Sequence, residues 1–143
     1  MDRLDKRILS ELQADGTLTN AELAERVGLS ATPCARRVKQ MEDEGVIARR
    51  VVLLNPSKLG LKLHALVQIS MDKHTPDRFE HFETEVKKHP EVIDLMLITG
   101  QSADYLLKLV LPDMDHYHDF LLNKITRIEG VADVHSSFIM RRV

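Results

Sequence analysis

An α+β fold is predicted by two hydrophobic patterns that follow one another along the 143 residues. Up to about residue 50, apolar side chains recur every three to four residues, as in amphipathic helices. From residue 62 onward, strand-like runs alternate with helical stretches. We therefore expect a helical domain at residues 1–50 and a mixed domain at residues 62–143. Residues 51–61 are expected to form a linker strand and loop.

Three helices are expected in the first domain. The first is predicted over residues 5–13, because its apolar residues share one face. The second is predicted to begin at Asn20, whose side-chain oxygen suits a helix N-cap, and to end at Gly28, which tolerates a left-handed conformation. The apolar residues of these two helices are Leu4, Ile8, Leu9, Leu12, Leu23, Ala24 and Val27.

The third helix is predicted to have one buried face and basic side chains elsewhere. Ser30 or Thr32 is expected to cap it, and Pro33 falls in its first turn, where no intrahelical N–H is needed. The positions expected to be buried, at i, i+4 and i+7, are Cys34, Val38 and Met41. Because a short turn containing glycine joins this helix to the preceding one, the pair matches a helix-turn-helix.

The basic side chains of the third helix indicate DNA binding. A helix docked by one face and basic on another is suited to the major groove. The acidic residues at its far end favour insertion by the N-terminal half, and the extended run up to Leu54 would form a wing or strand beside the phosphates. The residues expected to contact DNA are Ser30, Thr32, Pro33, Arg36, Arg37, Lys39, Gln40, Arg49 and Arg50. The periodicity alone leaves open a packing unit with solvated charges.

The charge of the chain limits how it would bind DNA. Its formal net charge is -2, and residues 1–50 contain nine basic and nine acidic side chains. A monomer with this balance would bind DNA weakly, so dimers or larger assemblies are implied. No signal peptide is recognisable and no apolar run approaches the ~18 residues of a membrane span, so we expect a cytoplasmic protein.

The second domain is predicted to repeat a β-α-β unit. Strands are expected at residues 63–71, 92–99, 104–111 and 131–140, with helices at about 75–89 and 112–130. Two such units form a ferredoxin-like sheet with both helices on one face. The other face is expected to be exposed and apolar, which favours dimerisation through the sheet. The side chains expected on it are Leu63, Leu95, Leu97, Leu107 and Leu109.

Short motifs in a fixed order connect the two domains to a known family. They include E-L-A at 22–24, V-G-L-S at 27–30, T-P-C at 32–34, N-P and L-G between 55 and 60, D-Y-L-L-K at 104–108, and P-D-M at 112–114. Together they resemble the Lrp/AsnC family of feast/famine transcription regulators over essentially the whole chain. The D-Y-L-L-K run is similar to the leucine-responsive branch.

This resemblance implies properties beyond those predicted from the residues. It implies a winged helix-turn-helix domain followed by a ferredoxin-like effector-binding domain of the RAM type. Family members form dimers, usually assembled as tetramers of dimers. They bind double-stranded DNA and an amino acid, here suspected to be leucine or methionine, between dimers. The effector residues implied are Thr99, Gly100, Gln101, Ser102, Ala103, Asp104, Met114 and Ser137.

The chemistry of the implied loop agrees with an amino-acid ligand. Loop N–H groups can bind a carboxylate, and Asp104 can pair with an ammonium group. The alternative for Asp104 is a turn residue that caps the loop.

Other functional classes have weaker support. The single cysteine, Cys34, excludes an internal disulfide and is expected to be a small core residue. No two histidines have i, i+4 helix spacing with a carboxylate partner, so no metal site is expected, and no other cofactor. Motifs such as G-x-S-x-G and H-E-x-x-H do not occur, so we do not expect an enzyme. Two alternatives remain: a ferredoxin-like enzyme fused to a DNA-binding domain, and an amino-acid sensor that controls a partner protein.

Overall fold

Two compact units divide the chain after Leu54. They are seen in a computed structural model that describes residues 1–100 and 103–141. The first unit is helical and the second contains a single sheet with helices, in agreement with the predicted α+β class. Each unit has its own hydrophobic core.

The first unit contains three helices around a small core. Helix α1 spans Arg3–Ala14, α2 spans Asn20–Val27 and α3 spans Ala31–Asp43. Burial follows the predicted helical spacing in all three, because each helix can remove only one face from water. The core consists of Ile8, Leu18, Leu23, Ala24, Val27, Cys34, Val38 and Met41.

Local capping determines where α2 begins and ends. The N-cap is Thr19, one residue before the predicted Asn20, because Thr19 and Glu22 form a reciprocal capping box. Thr19 accepts a hydrogen bond from the Glu22 N–H, while the Glu22 carboxylate accepts one from the Thr19 N–H at 2.8 Å. At the other end, Gly28 has φ of 75°, the left-handed conformation that ends a helix.

The predicted linker strand does not form within the described residues. Residues 48–55 have no regular secondary structure, and the next element is a 3-10 turn at Pro56–Leu59. A strand needs a neighbouring strand to accept its backbone hydrogen bonds, and none is present here within one chain. Instead, four consecutive apolar residues lie exposed, from Val51 to Leu54, with Leu53 91% accessible.

The second unit has the predicted ferredoxin-like sheet. Strand β1 spans Leu63–Met71, β2 Val92–Leu97, β3 Tyr105–Leu111 and β4 Val131–Phe138, while α4 spans Pro76–Val86 and α5 Met114–Phe120. The strand order is β2-β3-β1-β4, and every neighbouring pair is antiparallel. The first strand has the predicted bounds, whereas β2 and β4 end two residues early.

The two faces of this sheet differ in burial, and the prediction for the leucines was wrong. Leu107 and Leu109 lie in the core with the helices, and Leu63 and Leu95 pack against that core. Of the five, only Leu97, on edge strand β2, is exposed, at 59%. A one-residue change of phase moves every side chain of a strand to the other face. The face away from the helices is mixed, with Leu66, Leu106, Val110, Met96, His64, Gln68, Lys108 and His135.

A π-helical turn extends α5 over Leu121–Ile125. The buried residues Phe120 and Ile125 are five positions apart. An α-helix would separate such positions by about 140°, whereas the wider π turn brings them to one face. The predicted continuous helix is therefore interrupted because the core requires both side chains.

Candidate DNA-binding helix and effector region

Three polar residues form an outward row on α3. Thr32, Arg36 and Lys39 lie at i, i+4 and i+7, opposite the buried face, and all three are exposed. Among the described residues, Arg36 has no hydrogen-bond or ion-pair partner, so its charge is available. Lys39 is 75% exposed, and its Nζ lies 3.4 Å from Asp43. An exposed pair of this kind is weak and exchanges readily for a phosphate.

The beginning of α3 is also open to a ligand. Ser30 is the N-cap by position, but its side chain makes no capping hydrogen bond. Its carbonyl accepts the Cys34 N–H at 3.2 Å, which leaves the earlier N–H groups of the helix without intrahelical partners. Pro33 is half-buried in this first turn. Free N–H groups at a helix N-terminus attract anions such as phosphate.

Arg37 differs from its neighbour Arg36. Its Nη1 lies 2.7 Å from Asp2 Oδ2 and 2.7 Å from Asp5 Oδ1, so it binds two carboxylates of α1. The Arg37 side chain is only 27% exposed. The hydrogen bonds to Asp5 and Asp2 raise the pKa of the guanidinium further above its usual high value. Arg37 therefore lies beside the buried face, not in the outward row.

Two of the other predicted DNA contacts have acidic neighbours. Gln40 donates a hydrogen bond to Glu44 at 2.7 Å, and Arg50 lies 3.4 Å from Glu42. Arg49 is exposed and has no partner within the described part of the chain. The exposed cations Arg49 and Arg50 follow α3 without a wing strand to fix them.

Cys34 belongs to the core of this unit. It is fully buried, and burial raises the pKa of its thiol. A protonated, inaccessible thiol is a poor nucleophile, so the residue contributes to packing.

The predicted effector loop lies between β2 and β3. Thr99 and Gly100 are exposed, while Ala103 is buried. Gln101 and Ser102 lie outside the described residues. This loop is therefore exposed up to Gly100 and anchored to the domain from Ala103 onward.

Asp104 is bound to the sheet by its backbone and its side chain. Its Oδ2 accepts a hydrogen bond from the Met71 N–H at 2.7 Å, and its Oδ1 lies 2.8 Å from His74 Nε2. Its own N–H donates to the Ile69 carbonyl at 2.9 Å, and its carbonyl accepts from the Ile98 N–H at 2.8 Å. Only Oδ1, shared with the exposed His74, can be released to a ligand without breaking a backbone hydrogen bond.

The described effector residues Asp104, Met114 and Ser137 do not come together within one chain. Asp104 precedes β3 and Met114 follows it, so the seven-residue strand separates them by roughly 20 Å. Ser137 pairs with Leu66, three residues along β1 from Ile69. Met114 and Ser137 are both exposed, whereas Asp104 is half-buried. A single copy therefore presents these residues at separate places.

Sequence reasoning missed the partners of Arg37 and Asp104. Asp2 and Asp5 have a recognisable local signal, because an acidic N-cap three residues before a second acidic residue is a form of capping box. His74 and the Met71 N–H have no such signal, since neither is close to Asp104 in the sequence.

The described residues show neither a metal-binding cluster nor a membrane-spanning helix. Within residues 1–100 and 103–141, no three His, Cys, Asp or Glu side chains form a group that could hold a metal ion. No helix in the same residues is long and apolar enough to cross a membrane.

The geometry defines a class of protein: a DNA-binding regulator with a helix-turn-helix unit and a separate ferredoxin-like unit. Residues 1–48 match the family model of the winged helix-turn-helix DNA-binding domain, and residues 64–143 match that of the Lrp/AsnC ligand binding domain. The chain belongs to the Lrp/AsnC family of transcription regulators, which confirms the predicted family, fold and regulatory function.

Individual relatives agree with this assignment over the whole length of this chain. The leucine-responsive regulatory protein of Escherichia coli K12 is 43% identical over 143 residues, which are all of this chain and 87% of that protein. A Neisseria meningitidis transcriptional regulator, crystallised with L-methionine, superposes with a TM-score of 0.95 at 40% identity, covering 100% of this chain and 92% of that one. An AsnC family regulator of Agrobacterium tumefaciens has a TM-score of 0.92 at 44% identity, with the same coverage. The two crystallised relatives are transcriptional regulators, and the Escherichia coli relative is a regulatory protein.

Proposed function

We propose that α3 enters the DNA major groove by its N-terminal half. The observation that supports this most directly is the outward row of Thr32, Arg36 and Lys39, whose side chains face away from the core. Ser30 and Pro33 would then face phosphate at the start of the helix, and Gln40 would lie at its far edge. Arg49 and Arg50 would contact the phosphate backbone beside the groove.

The experiment is a salt titration of DNA binding for charge-removing variants. Operator DNA is selected from a random pool with the native protein, and affinities are measured from 50 to 200 mM salt. Arg36→Met and Lys39→Met should each reduce the slope of log K against log salt by about 0.9 per bound copy. Lys87→Met, an exposed charge on the other unit, is the control and should leave the slope unchanged. Unchanged slopes for the two α3 variants would refute this assignment.

We further propose that the chain acts as a dimer and as a tetramer of dimers. The exposed run from Val51 to Leu54 can pair with the same run of a second copy, which would supply the missing strand partner. The open face of the sheet, with Leu66, Leu106 and Met96, offers a second surface. Several DNA-binding units in one particle would compensate for the weak charge of each.

Light scattering tests these two surfaces separately. Leu53→Glu should lower the mass of the particle if the run around it pairs, and Leu106→Glu should do so if the sheet face associates. Lys58→Glu, an exposed position outside both surfaces, is the matched control. A monomer for the native chain at micromolar concentration would exclude the proposed assembly.

The effector is proposed to be leucine or methionine. The leucine-responsive relative and the methionine-bound neighbour support this pair of apolar amino acids. The site is proposed to include the 99–104 loop of one copy with Met114 and Ser137 of others, because one chain does not bring them together. Binding between dimers would favour one assembly state over another and so change the arrangement of the DNA-binding units.

Calorimetry tests the identity of the effector. L-leucine and L-methionine should bind at or below millimolar concentration, whereas D-leucine and L-aspartate should not. Absence of binding by all twenty L-amino acids would exclude amino-acid sensing for this chain.

We also propose that the protein acts in the cytoplasm, where the DNA of its bacterial relatives lies.

A further inference from the structure

We infer that Arg37 is a positioning residue that holds α3 on α1, not a DNA contact. The inference rests on the proposal that α3 enters the major groove. It concerns the clamp formed by Asp2, Asp5 and Arg37, which joins the first turn of α1 to the middle of α3.

The clamp is a closed set of hydrogen bonds. Arg37 Nη1 has two protons, and it donates one to Asp2 Oδ2 and one to Asp5 Oδ1, both across 2.7 Å. The other two oxygens bind backbone: Asp2 Oδ1 accepts from the Asp5 N–H at 2.9 Å, and Asp5 Oδ2 accepts from the Asp2 N–H at 2.8 Å. All four carboxylate oxygens therefore have a partner. Two short charged hydrogen bonds from one nitrogen fix direction as well as distance.

The charge balance of the clamp is unfavourable for phosphate. One guanidinium and two carboxylates sum to one negative charge, so the clamp as a unit repels an anion. Arg36, the preceding residue, has no such partner in the described part of the chain and points about 100° away around the helix. Two adjacent arginines of α3 thus have different roles, one facing solvent and the other facing α1.

The position of the clamp explains why α3 would depend on it. Helix α1 contributes Ile8, Leu9 and Leu12 to the core, all after its first turn. The first turn itself is connected to α3 through Arg37. Loss of the clamp frees this end of α1 and allows α3 to rotate on its buried face. Such a rotation displaces the outward row of Thr32, Arg36 and Lys39. It therefore weakens those DNA contacts that require precise placement of these side chains.

The experiment compares specific and non-specific DNA binding. Arg37→Met should weaken operator binding about threefold to tenfold, while leaving the salt slope on random-sequence duplex unchanged. Arg36→Met should reduce that slope by about 0.9 per copy. A reduction for Arg37→Met equal to that for Arg36→Met would overturn the inference. If neither variant changes the slope while operator binding persists, the proposal that α3 enters the major groove is refuted.

A second variant distinguishes positioning from simple electrostatics. Asp2→Asn with Asp5→Asn removes two negative charges but keeps amide oxygens that can cap α1. Coulombic attraction alone predicts tighter binding to all DNA, whereas loss of the clamp lowers the ratio of operator to random-duplex affinity, by about threefold or more. Circular dichroism melts identify the temperature at which every variant is folded, and binding is measured there. An unchanged or increased ratio would overturn the inference.

Discussion

The carboxylate of Asp104 accepts a hydrogen bond from the backbone N–H of Met71 across 2.7 Å. This bond joins the residue that precedes β3 to the end of β1. The same aspartate is the predicted partner of the effector ammonium group, so one side chain would serve the sheet with Oδ2 and the ligand with Oδ1. His74 lies 2.8 Å from Oδ1 and is exposed enough to be displaced.

Replacement of Asp104 should therefore affect stability as well as ligand binding. Asp104→Ala leaves the Met71 N–H without its partner and should lower the free energy of unfolding by roughly 1–3 kcal/mol. Asp104→Asn keeps an acceptor oxygen and should cost less, so it is the better variant for effector titrations. Urea denaturation measures both, with the exposed Asp133→Ala as control. A native-like stability for Asp104→Ala would show that this hydrogen bond contributes little.

Gly28 offers a test of the turn between α2 and α3. Gly28→Ala should destabilise the protein by about 1–2 kcal/mol, because φ is 75° and a side chain is strained there. A Cβ at this position would meet no heavy atom within 4 Å, so the cost is one of backbone conformation alone. Gly16→Ala is the control, since Gly16 has no positive φ and room for a methyl group. Equal melting temperatures for the two variants would contradict the expectation.

Glu91 and Lys124 form a partly buried ion pair at 2.6 Å, between the start of β2 and the π-helical turn. Lys124→Met removes the ion-pair partner of the Glu91 carboxylate. Lys124 is about one-third exposed, so we expect a loss of only about 1 kcal/mol at pH 7. Adding Glu91→Gln to Lys124→Met should restore part of the lost stability. A double-mutant cycle measures this coupling between the two side chains. Additive losses would mean that the two side chains do not interact.

The same pair predicts a pH dependence. Burial, the largest single influence, raises the pKa of Glu91, but the hydrogen bond and charge of Lys124, together with a hydrogen bond to the Glu91 backbone and the charge of His89, outweigh it. The net pKa therefore lies below its usual value. A carboxyl group with a lowered folded pKa stabilises above its unfolded pKa, near 4.3. That contribution is lost as the pH falls through the folded pKa. The stability difference between the native chain and Lys124→Met should therefore shrink below about pH 4 in acid titrations.

His116 predicts the opposite pH dependence near neutrality. Its Nδ1 lies 2.7 Å from Asp113, whose carboxylate raises the pKa of the imidazole. A group with a raised folded pKa stabilises fully below its unfolded pKa, near 6.5, and this stabilisation is lost as pH rises through the folded value. His116→Asn should remove a small decline in melting temperature above pH 6.5. If the melting temperature of the variant declines equally above pH 6.5, the decline is caused by a group other than His116.

Local patterns in the sequence were sufficient to place most elements. Apolar spacing and turn residues are short-range signals, so β1 was predicted with its observed bounds, and Gly28 was expected to end its helix. The motifs also indicated the Lrp/AsnC family. The π-helical turn was missed, although the five-residue step from Phe120 to Ile125 was visible in the sequence.

What the sequence determined by itself is the order of the elements, the buried face of each helix and the family. Tertiary structure decided which strand face is buried, because alternation has two equivalent phases until the sheet meets its helices. It also decided that Arg37 binds Asp2 and Asp5, while Arg36 meets no partner among residues 1–100 and 103–141. These partners lie more than 30 residues from Arg37 along the chain. Periodicity describes the direction of a side chain from its own helix, whereas the neighbour it meets depends on how the helices pack.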